Sequence, residues 1–331
     1  MKQIKVAQIG TKHVHGRSIF ASMKHQPALF QILGVAEPDP DRAYFLRECP
    51  TYQDQPAYSV EELLNLPGLQ AVTIETDEPK LSKYAIMAAE KGLHIHMDKP
   101  GGTDPVEFRK LIRTVKEKGV TLSLGYMYRY NPMVQELLAQ VKAGEFGDIL
   151  SVEAQMNCLS SLPYREMLNA MPGGQMFFLG CHLVDMILQI QGQPERIIPL
   201  NRKTRTDGVD AWDFGMAAFC YPTGVSFAKT CACEIGGFGR RQLVVVGTEK
   251  TVELKPLEMT VPGQGIYTEK TEYAVKAWTD LGEHFKTPIF NRYDTMMAEF
   301  AAYVRGEKTN PYTPEYELEL YKTVLRACGA E

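Results

Sequence analysis

Two short stretches of the chain carry side chains that could move protons or balance charge. Lys99 comes directly after the apolar run 93–97, and His182 stands three residues before Asp185 in a helix-like stretch. The end of a parallel strand is where α/β sheets bind ligands, and residues three apart share one face of a helix. Imidazole titrates near neutral pH and suits acid–base work, and an ammonium group can stabilise charge on oxygen. A solvated loop lysine and a structural histidine would show the same local patterns.

A third stretch has the position of a phosphate-binding loop. Gly10-Thr11-Lys12-His13-Val14-His15-Gly16 leaves the first predicted strand and enters a helix, where a G-x-G-x-x-G loop would hold a pyrophosphate against backbone N–H groups. Lys12 and His15 replace the second and third glycines. Glu37 ends the second predicted strand about 20 residues later, the spacing of an acid that hydrogen-bonds an adenosine ribose and repels a 2′-phosphate. The spacing predicts NAD rather than NADP, although an ordinary turn followed by a solvated glutamate would also fit.

The elements that would position these residues alternate between strand and helix patterns over the first 125 residues. The strand-like apolar runs lie at residues 4–9, 32–36, 71–74, 93–97 and 120–124. Helix signals stand between them, including a capping box of Ser59 with Glu62, and a helix that starts at Asp104 and ends at Gly119. Because parallel strands need crossover connections, this series predicts a parallel, doubly wound α/β domain over residues 1–125.

The pattern changes after residue 125. The helix-like stretches lie at 133–142, 176–190, 294–305 and 315–328. The strand candidates lie at 149–156, 214–221, 225–233, 242–246 and 251–254. Tight turns such as Pro222-Thr223-Gly224 between short strands are typical of antiparallel hairpins, and the stretch 158–172 is predicted to be an irregular loop. The sequence therefore predicts a second, α+β domain over residues 126–331, with terminal helices that could pack back on the first domain.

Composition excludes several classes of protein. Of 331 residues, 44% are hydrophobic and 23% are charged, which is typical of a globular enzyme and not of a disordered or collagen-like chain. The net charge is −4, so nucleic acid is not an expected partner, because phosphate binding needs concentrated basic charge. Seven cysteines without C-x-x-C spacing predict reduced thiols. The start of the chain lacks a signal-peptide pattern, and no apolar run reaches the ~18 residues of a membrane span. We therefore expect a cytoplasmic protein with no membrane partner.

Three motifs, in this order, resemble the Gfo/Idh/MocA family of oxidoreductases, which includes glucose–fructose oxidoreductase and inositol dehydrogenase. They are the loop after the first strand, Met97-Asp98-Lys99-Pro100 in place of E-K-P, and the stretch 173–185 in place of G-G-x-x-x-D-x-G-x-H-x-x-D. Tyr128-Arg129-Tyr130-Asn131-Pro132 is similar to the family's Y-R-F-x-P, and Val246-Gly247-Thr248-Glu249 to its V-x-G-T turn. The resemblance runs the length of the chain and indicates the family without indicating one substrate.

The resemblance implies an N-terminal NAD(P)-binding Rossmann domain and a C-terminal domain with a large, open, mostly antiparallel sheet. That sheet often forms the interface of family members, which implies a homodimer or homotetramer. The implied reaction is hydride transfer between nicotinamide and a hydroxyl carbon of a sugar, polyol or related small molecule. Lys99 would hydrogen-bond the reacting oxygen near the nicotinamide, and His182 would carry the hydroxyl proton. Loss of the hydride leaves a developing carbonyl, so a base and a balancing cation suit this reaction.

The expected contacts can be assigned residue by residue. Around NAD we expect Gly10, Thr11, Lys12, His13, Glu37, Thr76, Asp98 and Lys99. Around the substrate we expect Arg129, Asn157, Arg165 and His182. Asp185 and Tyr164 are candidates to support the histidine, because Phe178 stands where the family has an acid, one helical turn before His182. No metal ion is expected.

The departure at Phe178 leaves several interpretations open. Asp185, Tyr164 or another loop residue could replace the missing acid, the substrate could need different proton chemistry, or the protein could be an NAD-binding sensor without turnover. NAD-assisted glycoside cleavage is a further alternative. A metal-dependent hydrolase is the alternative from another class, because His13-Val14-His15 and His94-Ile95-His96 resemble the histidine pairs of metal sites. The antiparallel second half and the small number of histidines argue against that hydrolase.

Overall fold

A parallel sheet organises the first unit of the structure, a computed structural model that describes residues 2–330. Its strands lie in the order β2-β1-β3-β4-β5 and are all parallel. They are β1 Ile4–Ile9, β2 Phe30–Ala36, β3 Ala71–Ile74, β4 His94–Met97 and β5 Leu122–Leu124. The strand order reverses between β1 and β3, so the switch point at which such sheets bind ligands lies at the carboxyl ends of these two strands. The predicted doubly wound parallel sheet is confirmed.

Helices connect these strands. They are α1 Gly16–His25, α2 Phe45–Glu48, α3 Val60–Leu64, α4 Leu81–Glu90 and α5 Pro105–Lys118. Ser59 and Glu62 form the predicted capping box at the start of α3. The side chain of Asp104 accepts hydrogen bonds from the first backbone N–H groups of α5, and Gly119 ends this helix with a left-handed φ of 63°. Local capping chemistry thus sets the helix ends that the sequence predicts.

A mixed sheet organises the second unit, which comprises residues 127–292 and the chain from 320. Its strand order is β15-β14-β11-β10-β6-β9-β8-β7, and only the pair β6 and β9 is parallel among the described strands of this sheet. The helices are α6 Pro132–Lys142, α7 Leu162–Met167 and α8 Cys181–Gln191. The strands are β6 Ile149–Gln155, β7 Arg196–Pro199, β8 Phe214–Tyr221, β9 Gly224–Cys231, β10 Gln242–Gly247, β11 Thr251–Leu254, β12 Met259–Val261, β13 Gly265–Tyr267, β14 Glu269–Tyr273 and β15 Glu283–Lys286. The predicted large, mostly antiparallel sheet is confirmed.

Two predictions about this unit need correction. The stretch 158–172, predicted to be irregular, contains α7, whose first turn holds Pro163. Proline is tolerated there because the first N–H groups of a helix have no partner within the helix. The helix predicted over 176–190 begins with a π-helical turn, Met176–Gly180, and becomes α-helical at Cys181. Single π-turns of this kind are frequent at functional sites.

Two terminal helices complete the chain, α9 Asp294–Val304 and α10 Pro314–Cys328. Helix α9 belongs to the first unit with residues 293–319, and the hydroxyl of Ser22 donates to Asp294 over 2.7 Å. All seven cysteines lie in the described part of the chain and are free thiols. Among residues 2–330, none of the helices combines the length and apolar character needed to cross a lipid bilayer.

Candidate functional site

The loop after β1 approaches the end of β3 closely at Gly10. Gly10 has a φ of 87°, and its N–H donates to the carbonyl of Ala36 over 2.7 Å. A Cβ at this position would lie 2.6 Å from Cγ2 and 2.7 Å from the backbone N of Thr76. Only glycine fits both the left-handed conformation and this contact. The predicted first glycine of the loop therefore brings the chain directly against Thr76, another predicted nucleotide contact.

Replacing Gly10 with alanine should destabilise the protein by about 3 kcal/mol, because the left-handed strain and the clash with Thr76 add together. Gly92→Ala is the matched control: Gly92 has a similar φ of 75°, but a Cβ there would meet nothing within 4 Å. That control should cost only ~1 kcal/mol. Urea unfolding of both variants measures the difference, and equal losses would contradict the role assigned to the close approach.

Glu37 is held in place at the end of β2. Its carboxylate accepts hydrogen bonds from the backbone N–H and the hydroxyl of Thr11, over 2.8 and 2.6 Å, and from the backbone N–H of Asp39 over 2.9 Å. Arg42 donates to the hydroxyl of Thr11 over 3.0 Å and to its carbonyl over 3.1 Å. The structure thus brings Gly10, Thr11 and Glu37 together at the switch point of the sheet, with the acid oriented by the loop itself.

Lys12, at the second glycine position of the loop, lies over acidic residues. Its ammonium group is 3.4 Å from Asp39 and 3.7 Å from Asp77, and 45% of its side chain is exposed. Lys80 contributes a second ammonium group, 3.3 Å from Asp77. Because these contacts are exposed, they stabilise the loop less than a buried ion pair would. Lys12 therefore adds positive charge beside the loop instead of the close backbone approach that a glycine would allow.

His13 and His15 converge on Asp98, the residue before Lys99. The Nδ1 atoms of His13 and His15 lie 3.0 and 2.8 Å from Oδ2 of Asp98. Glu78 lies 3.2 Å from Nε2 of His13, and Glu75 lies 3.8 Å from its Nδ1. Except for His15, which is partly exposed, these side chains are buried. The parallel sheet explains the convergence, because the residues follow neighbouring strands β1, β3 and β4 at the same edge.

The charges of this group are strongly coupled. Burial by itself would lower the pKa of His13, but Asp98 and Glu78 raise it to about 10. Burial lowers the pKa of His15 to about 4, although Asp98 opposes the shift. Burial would raise the pKa of Asp98, but the two imidazoles hold it well below its ordinary value. For Glu75, burial and the charge of Asp98 both raise the pKa well above its ordinary value. The group is thus a buried, acid-rich cluster and not a set of solvated loop residues.

Lys99 is fully buried at the end of β4. Its backbone N–H donates to Oδ1 of Asp98 over 2.7 Å, so the same carboxylate that faces the histidines also fixes the backbone of Lys99. The sequence left open a solvated loop lysine, and the burial of Lys99 contradicts that alternative. A buried ammonium group is found where it is paired or functional.

His182 lies in the first turn of α8, directly after the π-helical turn, and is 1% exposed. Its ring packs edge to face on Tyr128, with 5.5 Å between the ring centroids. The hydroxyl of Tyr128 donates to Glu258 over 2.7 Å, and Arg241 and Arg292 both contact this buried carboxylate. The imidazole therefore rests on a side chain that a buried charge network holds in place.

Arg129 and Asp185, both predicted site residues, form a bidentate ion pair. Nε and Nη2 of Arg129 each donate to a different oxygen of Asp185 over 2.9 Å, and both side chains are buried. Gln189 donates to the same carboxylate over 3.0 Å. This pair fastens the turn that carries Tyr128 to helix α8, which carries His182. Contacts of Arg129 with substrate and support of His182 by Asp185 remain predictions.

The other predicted residues of this unit have polar partners. Tyr164 donates to Gln175 over 3.2 Å and packs edge to face on Phe178. Arg165 is buried and forms ion pairs with Asp213 and Asp207, and its contact with substrate stays a prediction. Asn157 donates to Glu234 over 3.3 Å, while its buried Oδ1 has no hydrogen-bond partner among residues 2–330. An acceptor left in this way can receive a hydrogen bond from a ligand hydroxyl.

Sequence reasoning did not select several residues of the site. Glu75 and Glu78 belong to the cluster at Asp98, and Glu258 belongs to the network behind His182. A signal was available for Glu75, because it is an acid directly after the apolar strand β3 and therefore at the ligand-binding edge of the sheet. Glu258 offers no comparable local signal, since its partners are distant in sequence.

Comparisons with known proteins agree with this architecture. Residues 4–126 match the family model described as "Oxidoreductase family, NAD-binding Rossmann fold", and residues 134–253 match the "GFO/IDH/MocA C-terminal domain". Trans-1,2-dihydrobenzene-1,2-diol dehydrogenase of Bos taurus is 26% identical over 304 residues, which cover 89% of this chain and 87% of that protein. D-xylose 1-dehydrogenase (NADP(+)) 2 of Haloferax volcanii is 31% identical over 156 residues, which cover 46% of this chain and 47% of that protein.

Solved structures share the fold along the whole chain. A levoglucosan dehydrogenase in complex with NADH and levoglucosan has a TM-score of 0.81 at 17% identity, with 99% of this chain and 97% of that chain covered. The fold and the two family models confirm the resemblance indicated by the loop after β1 and by the stretches that contain Lys99 and His182. This protein therefore belongs to the Gfo/Idh/MocA family and is an oxidoreductase of the NAD(P)-binding type.

Proposed function

We propose that this protein is an NAD-dependent dehydrogenase that transfers a hydride between nicotinamide and a hydroxyl carbon of a small polyhydroxylated ring. The observation that carries the proposal is the arrangement of Glu37 and Thr11 beside Gly10 at the switch point of the parallel sheet. An oriented carboxylate there can accept both hydroxyls of an adenosine ribose and repel a 2′-phosphate. The absence of a side chain on Gly10 lets the backbone approach a pyrophosphate.

The substrate class is inferred from named relatives. Dihydrobenzenediol, xylose and levoglucosan dehydrogenases act, by their names, on ring compounds that carry hydroxyl groups. In this chain, Asn157 offers a buried acceptor for a hydroxyl, and the half-buried ring of Tyr164, which packs on Phe178, offers an apolar surface. A cyclic substrate with neighbouring hydroxyls and an apolar ring face suits both features.

The roles of the chain's residues follow from the reaction. Bound NAD would accept the hydride from the carbon that bears the hydroxyl. Lys99 would donate a hydrogen bond to the oxygen as it becomes a carbonyl, and His182 would take the hydroxyl proton. Tyr128 would orient the imidazole, since it packs on that ring and is itself held by Glu258. Phe178 cannot take a proton, so His182 would have to work without the usual neighbouring acid.

Calorimetry with NADH, followed by a panel of cyclic diols, sugars and polyols with NAD, tests the proposal. We expect NADH to bind and at least one ring diol to produce reduced nicotinamide, which absorbance detects. Binding without turnover on the whole panel would favour the alternative function, a ligand sensor, which the loss of the acid at Phe178 supports. Absence of binding by either form of the coenzyme would overturn the proposal.

Glu37→Ser should weaken NAD binding by about tenfold and reduce the discrimination against NADP, because the ribose hydroxyls lose a charged acceptor and the 2′-phosphate loses a repelling charge. Asp41→Asn, an exposed acid near the same strand end, is the control and should leave both affinities unchanged. Dissociation constants for NADH and NADPH measure the effect. An unchanged ratio of the two in the Glu37 variant would remove this residue from coenzyme selection.

The oligomeric state and location are part of the same proposal. We propose a homodimer or homotetramer formed through the open sheet of the second unit, and a cytoplasmic location. Apolar side chains exposed near the edge of that sheet, Trp278, Leu281 and Phe285, support an interface there. Light scattering of the purified protein, with Phe285→Glu as a variant, tests the assembly, and a monomer in the unaltered protein would contradict it.

A further inference from the structure

The cluster around Asp98 has the composition and spacing of a metal site. His13, His15 and Asp98 each offer one ligand atom, and these three atoms all lie within 4.8 Å of one another. The two contacts with the carboxylate oxygen measure 3.0 and 2.8 Å. Atoms that each bind one ion at about 2.0–2.1 Å lie roughly 3 Å apart, so the two distances between a histidine and Asp98 fit neighbouring ligands of a single ion. Two imidazoles and one carboxylate suit a divalent transition metal.

The hydrogen bonding of His13 gives a second reason. Nδ1 of His13 lies 3.2 Å from the backbone N of His15 and 3.0 Å from Oδ2 of Asp98. A carboxylate oxygen this close to a ring nitrogen needs a positive charge between the two atoms. A metal ion between His13, His15 and Asp98 would supply that charge, and a proton on His13 is the competing explanation.

The carboxylates around the cluster favour the ion. Glu78 lies 3.2 Å from Nε2 of His13, which is where a carboxylate orients a metal-binding histidine and fixes its tautomer. Glu75 is fully buried 3.8 Å from Nδ1 of His13, and neither of its oxygens has a hydrogen-bond partner in the described part of the chain. Gly16 makes room for it, since a Cβ there would lie 3.2 Å from Cβ of Glu75. A buried acid whose oxygens have no hydrogen bond can take its charged form beside the three ligand atoms if a cation lies there.

We propose that His13, His15 and Asp98 bind a divalent transition-metal ion, with Glu75 beside the ion and Glu78 as the partner that orients His13. His15 is the ligand closest to solvent, with 16% of its side chain exposed, so the ion would enter and keep open positions on that side. The site goes beyond the proposed function, because the Gly10, Thr11 and Glu37 contacts use none of the three ligands. Phosphate oxygens are natural ligands for such open positions. His13 and Asp98, which are expected NAD contacts, would then contact a bound dinucleotide through the ion and not directly.

Metal titration in the absence of nucleotide tests the site independently of the coenzyme. The full-length protein is stripped with a chelator, dialysed and titrated with Zn²⁺ by calorimetry and with Co²⁺ by visible absorption. We expect one ion per chain, and His15→Ala should weaken its affinity by about 100-fold or more. His25→Ala, an exposed histidine at the end of α1, is the matched control and should bind as the parent does.

Glu78→Gln provides a variant outside the three ligands, and we expect it to weaken the metal by about tenfold through His13. A thermal melt of each variant shows whether it is folded. Failure of the stripped protein to take up either metal would overturn the proposal and assign the charge at His13 to a proton. Equal affinities in the His15 and His25 variants would also overturn it. Neither result bears on NADH binding, which is measured separately.

Discussion

Replacing Lys99 with methionine is expected to lower kcat by about 10³-fold or more and to leave the affinity for NADH nearly unchanged. Methionine matches the length of the lysine stem but has no N–H group to stabilise a developing carbonyl oxygen, an effect that acts on the transition state and not on coenzyme binding. The backbone contact of Lys99 with Asp98 survives the change, since it uses only the main-chain N–H. Steady-state kinetics on the best substrate of the panel and calorimetry with NADH measure the two quantities.

Lys24→Met controls for the loss of a positive charge, because Lys24 is an exposed residue of the same unit. That variant should keep the parental kcat. Turnover retained by the Lys99 variant would remove this lysine from the reaction, whereas parallel losses of turnover and of NADH affinity would indicate a role in coenzyme binding. Only loss of turnover with coenzyme binding retained supports the assignment to the reacting oxygen.

The aromatic pair of Phe178 and Tyr164 bears on whether the protein is an enzyme or a ligand sensor. Edge-to-face packing of these rings occupies the position of the family's acid, and the hydroxyl of Tyr164 is directed to Gln175. The ring of His182 packs on Tyr128, whose hydroxyl donates to the buried carboxylate of Glu258. A histidine held in this way can still accept a proton, so the replacement of the acid by Phe178 is compatible with turnover. The substrate panel measures its rate.

Local signals account for the parts of the fold that the sequence predicts well. Strands β1, β3 and β8 have the predicted bounds because each is an apolar or alternating run that ends at a turn signal. Strands β14 and β15 were not predicted. Both strands are rich in polar residues, and β15 is an exposed edge strand. Because few of their side chains are buried, their sequences lack the apolar pattern that predicts a strand. Their place in the sheet depends on pairing with β11 and with each other.

The residues of the candidate site also divide into those that local sequence signals predict and those that they do not. Gly10, Glu37 and Lys99 could be predicted because each follows a recognisable strand and the ends of parallel strands meet at one edge. The pairing of His13 with Asp98 needs the register of β1 against its neighbours, which the sequence does not specify. The partner of Arg129 could not be predicted either, because Asp185 lies 56 residues away. Helix spacing instead makes Asp185 a candidate to support His182. Tertiary packing, and not a local sequence pattern, determines the partners of His13 and Arg129.

Removing one partner of the Arg129–Asp185 ion pair should strongly destabilise the second unit. We expect Arg129→Leu to lower the free energy of unfolding by about 3–5 kcal/mol, because Asp185 would remain buried without its bidentate partner. Arg129→Leu combined with Asp185→Leu should recover much of the loss, since a buried pair can be replaced by apolar side chains at little cost. Urea unfolding of the single and double variants measures the coupling.

The matched control is Lys110→Leu, which breaks the exposed contact between Lys110 and Glu90, where about half of each side chain reaches solvent. Its effect should stay below ~1 kcal/mol. If Arg129→Leu costs no more than this control, the pair does not hold the turn that carries Tyr128 against helix α8. If the double variant is as unstable as the single one, the loss comes from packing of the arginine stem and not from the orphaned carboxylate.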